Sequence, residues 1–310
     1  MHIPRYILVT GDFHICKNTY SEVDNSLNQI LRIIRTKNIS YIAILGDIFN
    51  SEHPTLEDIS KFIRFTTSIP NHIQIYLVEG NHEKERKDKK LLQWISWIRP
   101  NVIYSSDILE TTILNKKIIM MHEAFLESDI HEKAKSNISY TQFKDYDIIL
   151  SGHVHKYQVI SEQPLTIHPG SIYYCNFKEV NDPEKGVVII DLNTLQYELI
   201  PLKVTKLKQI ESDLTNVKKV INQLNRNAKV KLILNLNYDE SKKVNEINKI
   251  IQLGKSKFVS FSYDIRVKKL EITKDTTTKK RSLSDLFKKF CKDFKVDKKY
   301  QDQLKQLLPL

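Results

Sequence analysis

Five short motifs hold most of the residues able to bind a metal or move a proton: Asp12-x-His14, Gly46-Asp47, Gly80-Asn81-His82-Glu83, His122 and Gly152-His153-x-His155. Carboxylate, amide oxygen and imidazole together suit borderline divalent cations such as Mn, Fe or Zn. One such cation takes roughly four to six donors. The seven residues Asp12, His14, Asp47, Asn81, His122, His153 and His155 therefore suffice for two cations that share a bridging carboxylate. On an extended segment side chains alternate with period two, so Asp12 and His14 point the same way, as do His153 and His155. Taken singly each motif says little: Gly-Asp is a common turn, and a lone histidine such as His122 is more often a hydrogen-bonded core or surface residue. Their order, their place after strands and their spacing make the joint pattern specific. From Asp12 to Asp47 is 35 residues, from Asp47 to Asn81 is 34, and from His122 to His153 is 31. Each interval is about one strand–crossover–strand unit, long enough to return the chain to the same edge of a sheet with one more polar group.

The elements that would position these groups are short β-branched runs: Tyr6–Thr10, Tyr41–Leu45, Ile73–Val78, Ile118–Met121, Asp147–Leu150 and Val187–Asp191. Such runs read as buried strands. Gly11, Gly46, Gly80 and Gly152 each follow one and precede a candidate donor. Glycine there permits a sharp turn and close approach of the backbone to a ligand, and ligands of open α/β sheets gather beyond the carboxyl ends of the strands. Helical patterns lie between. Ser21 is expected to cap a helix with Val23, Leu27, Ile30, Leu31 and Ile34 on one face, Asp24 completing a capping box. Thr55 and Asp58 open a second, with Leu56, Ile59, Phe62 and Ile63 inward, and Leu91, Leu92, Ile95 and Ile98 mark a third, ended by Pro100. The alternation predicts an α/β fold, with a mixed sheet in its later part. Over 205–270 the pattern predicts a small α-β-α-β unit. A helical stripe runs Leu207, Ile210, Leu214, Val217, Ile221 and Leu224, and Val230–Leu236 and Phe258–Val267 alternate as strands. The helix between them has Val244, Ile247, Ile250 and Ile251 inward and closes near Gly254. A polar linker over 274–281 precedes a last helix with Leu283, Leu286, Phe287, Phe290 and Phe294 on one face.

Length and charge narrow the classes. The 310 residues can bury a sizeable core without a disulfide or metal staple. The 3 cysteines, Cys16, Cys175 and Cys291, include no close pair, which excludes a disulfide framework or a cysteine zinc ribbon and fits a reducing compartment, cytoplasm, nucleoid or nucleus. No stretch approaches the roughly 20 apolar residues of a membrane span, and no secretory signal is expected at the start. Residues 1–200 carry 21 basic and 25 acidic side chains, whereas 201–310 carry 27 and 12, and all 10 histidines lie at or before His168. Metal chemistry concentrates histidine and carboxylate; polyanion binding concentrates lysine and arginine. A catalytic part followed by a basic accessory part is the expectation. A solvated, lysine-rich surface is the plainer alternative for the tail.

Over about residues 5–175 the five motifs together resemble the calcineurin-like metallophosphoesterases, a layered sheet sandwich with helices on the outside. Within that superfamily, Gly46-Asp47-Ile48-Phe49 followed by Pro54-Thr55 is similar to the SbcD/MRE-type DNA repair nuclease subunits, and Pro169-Gly170-Ser171 is also family-like. The resemblance implies a first metal held by Asp12, His14, Asp47 and His155, and a second held by Asp47, Asn81, His122 and His153. Asp47 is then the bridge and His82 the catalytic histidine. It further implies two divalent ions, manganese being the expected kind, about 3.5–4 Å apart, acting on a phosphodiester and a water. Neutral imidazole and ionised carboxylate are needed, so activity is expected to fall in acid. Two positions depart from the pattern: Asn50 stands where relatives carry histidine or aspartate, and Glu83 where aspartate is more usual. Phe49-Asn50-Ser51-Glu52 is not the Asp-Arg-Gly of the superfamily's protein phosphatases, which argues against that activity.

The resemblance divides the chain into a nuclease domain (1–203), a small α+β capping domain that touches DNA (204–272), and a linker with C-terminal helices (273–310). Phe258, Phe261 and Tyr263 are expected in the core of the capping part rather than as base-stacking platforms. The expected partners are DNA, an SbcC-type coiled-coil ATPase gripped by the last helix, and a second copy of the chain in a homodimer. For that last helix, docking back onto its own chain is the alternative. Two other readings of the whole are a single-subunit phosphoesterase for nucleotides or phosphomonoesters, and a non-catalytic scaffold. The complete donor set with His82 speaks against the scaffold, and the basic tail separates nuclease from small-molecule enzyme.

Overall fold

The β-branched runs become strands because both of their faces find apolar cover. The computed structural model describes residues 5–84, 91–130 and 137–268, with the isolated helical positions Phe287, Lys292 and Lys298. β1 (Tyr6–Thr10), α1 (Tyr20–Thr36), β2 (Ile39–Leu45), α2 (Leu56–Thr67) and β3 (Gln74–Val78) follow one another, then the single turn α3 (Asn81–Lys84), α4 (Leu91–Ile98) and β4 (Val102–Ser105). β5 (Leu109–Ile113), β6 (Lys116–Met121), β7 (Ile148–Ser151), β8 (Gln158–Glu162) and β9 (Leu165–His168) build a second sheet, and β10 (Gly186–Asp191) and β11 (Tyr197–Pro201) return to the first. The first sheet has the order β11-β10-β1-β2-β3-β4 and the second β5-β6-β7-β9-β8. β1 to β4 are parallel, with Val9 opposite Ala43 and Ile44 opposite Leu77; β10 runs antiparallel to β1. In the second sheet β6, β7 and β9 are parallel.

Alternation along each strand assigns the two faces. Ile7, Val9, Ala43, Leu45 and Val78 face inward between the sheets, against Ile118, Met120, Ile148, Leu150 and Ile167. Leu8, Ile42, Ile44, Ile75 and Leu77 face the other way and pack under α1, α2 and α4 through Val23, Leu27, Ile30, Phe62, Phe65, Leu92 and Ile95. Each such side chain removed from water contributes about 1.5–3 kcal/mol, so register is strongly specified: a slip of one residue would exchange the faces. The fold is the α/β layered sheet sandwich with outer helices that the sequence predicts.

Several details differ from expectation. α1 begins at Tyr20, after a short turn over Lys17–Thr19, so Ser21 lies inside the helix and caps nothing. The Thr55–Asp58 capping box is present: Asp58 N donates to Thr55 Oγ1 at 3.2 Å and Thr55 N to Asp58 Oδ2 at 2.7 Å. Leu56, the first residue of that helix, is 83% exposed rather than inward, and the buried stripe is Asp58, Phe62, Phe65 and Thr66. Ile98 is also outward, 62% exposed, at the last turn of α4.

The small unit is β-α-β-α-β, not α-β-α-β. It comprises β12 (Leu207–Ser212), α5 (Val217–Gln223), β13 (Lys229–Leu236), α6 (Tyr238–Ser241), α7 (Val244–Lys257) and β14 (Ser260–Val267), with the parallel order β12-β13-β14. The helical stripe breaks at Asp213, whose carboxylate accepts from Asn216 N at 2.8 Å and starts α5. The residues before it pair with β13, so a ladder overrides the helical period. α7 runs through Gly254 to Lys257 instead of closing there; a Cβ at Gly254 would strike the Phe261 ring, so the glycine makes room for β14. Phe258 is buried and stacked on Phe261, the centroids 6.0 Å apart, while Tyr263 is 44% exposed and not the core residue expected. The linker over 274–281 and the last helix lie outside the described residues, except that Phe287 is buried. No helix among the described residues is long and apolar enough to cross a membrane.

Candidate metal centre

The carboxyl ends of β1, β2, β3, β6 and β7 meet at one rim, and all seven candidate donors stand on the segments that leave them. Main-chain bonds lock these segments together. Asp12 N donates to Gly46 O and His14 N to Asp47 O, both at 3.0 Å, and Ile15 N to Ile48 O at 2.9 Å. The two sheets are tied at the same place, where the His122 imidazole donates from Nδ1 to Leu45 O at 2.6 Å. That bond turns His122 Nε2 toward the rim. Asp12, His14, Asp47 and His153 have φ of 51°, 43°, 46° and 72°. Left-handed backbone costs a non-glycine residue about 1–3 kcal/mol and persists only where surroundings enforce it. Here it aims the side chains inward from tight turns.

The donors fall into two groups on either side of Asp47. In one, His14 Nε2 and His155 Nε2 face each other 2.9 Å apart, with Asp47 Oδ2 3.7 Å from His14 Nε2 and Asp12 Oδ1 3.9 Å from His155 Nε2. In the other, Asn81 Oδ1 lies 3.2 Å from His122 Nε2 and 3.0 Å from His153 Nδ1, and Asp47 Oδ1 lies 3.4 Å from His122 Nε2. Asp47 thus gives one oxygen to each group. His82 sits at the open side. Its main-chain N donates to Asp47 Oδ1 at 3.1 Å, its Nε2 is 3.8 Å from Asp47 Oδ2, and its side chain is 32% exposed. The Cys175 thiol, which sequence reasoning did not place here, is grouped with His14 and His155, ligand atoms within 4.8 Å of one another.

Two glycines make this crowding possible. A Cβ on Gly46, at φ +80°, would stand 2.5 Å from Gly80 N and 2.6 Å from His122 Nδ1. One on Gly80 would collide with the Asp47 carboxylate. Glu83, the departure from the family pattern, is the brace of these two turns: Oε1 accepts from Phe49 N at 3.0 Å and Oε2 from Gly80 N at 2.9 Å. Burial, with Asp47 close by, pushes its carboxyl up to about 7.

Burial and the charges of neighbouring groups shift most members of this cluster. Burial pushes Asp12 up to about 6, and its Oδ2, fully enclosed, has no hydrogen-bond partner. For Asp47 burial acts upward, but His122, His14 and His82 around it hold it below the ordinary carboxylate range. Burial and the neighbouring His155 bring His14 down to about 3, and burial with His122 brings His153 down to about 4. Burial would lower His122 too, yet Asp47 lifts it to about 9. Ring nitrogens converging on one another, an amide oxygen shared by two imidazoles and an unpartnered buried carboxylate oxygen fit divalent cations between the groups. Uptake would displace a proton from His122, which Asp47 keeps charged.

Behind the donors stand residues that the motifs do not reveal. Glu179 accepts from His155 Nδ1 at 2.9 Å and pairs with buried Lys185 at 2.8 Å. Burial acts upward on its carboxyl, but those two partners bring it to about 2. His168, wholly buried, faces Ser151 O at 2.8 Å through Nδ1 and Ser128 Oγ at 2.9 Å through Nε2. The Pro169-Gly170-Ser171 turn holds His155 from the other side, Ser171 N donating to His155 O at 3.1 Å. The one sequence signal for Glu179 is its nearness to that turn.

Residues 6–194 match the family model of the calcineurin-like phosphoesterase superfamily domain. Among solved structures, a protein of Thermus thermophilus is 12% identical, with a TM-score of 0.43, covering 64% of this chain and 99% of that one. A hypothetical protein of Pyrococcus horikoshii is 14% identical, with a TM-score of 0.41, over 64% and 87%. The Pseudomonas putida nuclease MPE is 15% identical, with a TM-score of 0.34, over 63% and 87%. With the family model spanning more than half of its length, the chain belongs to the calcineurin-like phosphoesterase superfamily.

Proposed function

We propose that the chain is a two-metal DNA exo- and endonuclease of the SbcD type, hydrolysing phosphodiesters at DNA ends in repair, recombination or replication. The observation that carries this reading is the division of Asp47, one oxygen toward each of two donor groups, beside a partly exposed histidine. On this reading Asp12, His14, Asp47 and His155 would hold one ion, and Asp47, Asn81, His122 and His153 the other. Manganese suits such a mixed oxygen and nitrogen set. The ions, when bound, supply charge against the phosphoryl oxygens and acidity to a water. The chain's own part is positional. Asp47 fixes the His82 loop through the main-chain bond, and His82 is then placed to give a proton to the leaving oxygen or to stabilise charge on it. The enclosed donors keep bulk water from their far side.

DNA as substrate is supported by the basic balance of 201–310 and by a small unit whose surface exposes Lys208, Lys218, Lys219, Arg226, Lys249 and Lys255. Such side chains meet phosphates with little regard to sequence. An SbcC-type ATPase is proposed as partner of the last helix, and a second copy of the chain as partner of the α4 face. There Trp94, Trp97 and Ile98 are exposed beside Ile103 on edge strand β4.

The test uses labelled linear DNA with Mn²⁺, beside nitrophenyl phosphate, for wild type and His82→Ala. Wild type should cleave DNA, and the variant should lose about 10²–10⁴-fold in rate while still taking up metal. Brisk monoester turnover with no DNA cleavage, with or without the ATPase, would instead indicate a small-molecule phosphoesterase.

A further inference from the structure

Glu179 is in neither donor group, yet its side chain is 1% exposed and fully engaged. It lies on the short 3-10 turn Phe177–Asn181 that links the second sheet back to β10. Oε1 accepts from His155 Nδ1 at 2.9 Å and Asn176 Nδ2 at 2.8 Å; Oε2 accepts from Cys175 N at 3.1 Å and pairs with Lys185 Nζ at 2.8 Å. Lys185 is equally enclosed and also donates to His155 O at 2.8 Å and Asp182 Oδ2 at 2.9 Å. His155 is therefore held twice, by ring and by main chain, from one buried charge pair. An isolated buried carboxylate would be costly, so the pair persists only as a unit. A carboxylate on Nδ1–H fixes the tautomer, and the other nitrogen, Nε2, then presents its lone pair toward His14 and Asp12.

We propose that Glu179, locked by Lys185, is the positioning residue of the first metal position: it sets the tautomer and the angle of His155 and so the affinity of one of the two ions. The inference rests on the two-metal reading above. A second feature makes the arrangement more than local packing. The segment that carries Glu179 is covered by the small unit: β12 packs on the 3-10 turn, and Lys229, at the start of β13, donates to Tyr174 O at 3.2 Å and pairs with Glu22 of α1. Tyr173 in the same segment donates its hydroxyl to His14 O at 3.1 Å. His155, through its ring, and His14, through its main-chain carbonyl, are thus both tied to the stretch on which the basic unit rests.

The experiment is calorimetric titration of the full-length, chelator-stripped protein with Mn²⁺, repeated with Co²⁺ while the visible spectrum is followed. Wild type should take up two ions. Glu179→Gln keeps the shape and removes the charge; one ion should bind about 10- to 100-fold more weakly, the other as before. The Co²⁺ bands belonging to the weakened ion should change. Glu179→Asp serves if the glutamine variant does not fold, since its charge still partners Lys185 while its shorter reach loosens His155; the same ion should weaken. Equal affinity and unchanged spectra in the Glu179 variants would overturn the inference and leave the two-metal reading standing. Failure of wild type to take up any ion would overturn both.

Discussion

Gly80 illustrates how little room the donors leave. Its hydrogen atom occupies the space into which a methyl group would drive the Asp47 carboxylate. Asp47 serves both donor groups, so Gly80→Ala should abolish uptake of both ions while far-ultraviolet circular dichroism stays native; metal content after dialysis, measured by plasma mass spectrometry, reads the outcome. Retention of two ions would mean that Asp47 is not where the chemistry turns. At this scale the sequence is informative for a physical reason. Each candidate donor stands just past a strand end, several of them behind a glycine, and strand ends converge in an α/β fold, so type and spacing together point to seven residues that the structure brings to one rim. Glu83 stands out in the sequence as a departure but its role does not, since it bridges two turns far apart in the chain, at Phe49 N and Gly80 N. Glu179 has no sequence signal beyond its nearness to the Pro169-Gly170-Ser171 turn and Lys185 has none, because both reach His155 by contacts across the fold that no periodic pattern encodes.

At the scale of elements, β9 places His168 in the interior, where burial brings the imidazole down to about 4 from an ordinary value of 6.5. The unfolded chain binds this proton near pH 6.5 and the folded protein only near 4. Between those values unfolding takes up a proton, so the stability contributed by neutral His168 is intact above about pH 6.5 and is lost as pH falls through about 4. The loss amounts to on the order of 3 kcal/mol. Urea unfolding at about pH 7 and about pH 4.5 should show wild type losing more stability between the two than His168→Gln; equal losses would contradict the assignment. Elements are legible where apolar periodicity meets no competitor. The six strands named from β-branched runs all form, because their two-sided burial leaves no other place for those side chains. The strand β12 reads as helix in the sequence, since Leu207 and Ile210 fit a helical stripe and only pairing with β13 decides against it. Ile98 and Leu56 read as inward because a periodic pattern does not tell which end residues of a helix still reach the core.

For the whole molecule, two surfaces carry the proposed partners. The basic unit is fixed to the sandwich through Lys229, Glu22 and Tyr174, so a polyanion that binds its lysines would lie against a part joined to the metal centre. The α4 face, with Trp97 64% exposed, is the one proposed to meet a second copy. Sedimentation velocity should give a dimer for wild type and a monomer for Trp97→Glu, with metal uptake unchanged; a monomeric wild type would remove the dimer from the account. Neither surface can be drawn from sequence, which shows that 201–310 is basic but not which lysines share a face, and that tryptophans are present but not that the sheet beneath leaves them outside. The most direct test of the central claim is a crystal structure of the protein grown with Mn²⁺, with anomalous scattering measured at the manganese edge. Two peaks about 3.5–4 Å apart, one against each oxygen of Asp47, are the expected result. A single peak, or peaks that Asp47 does not join, would contradict it.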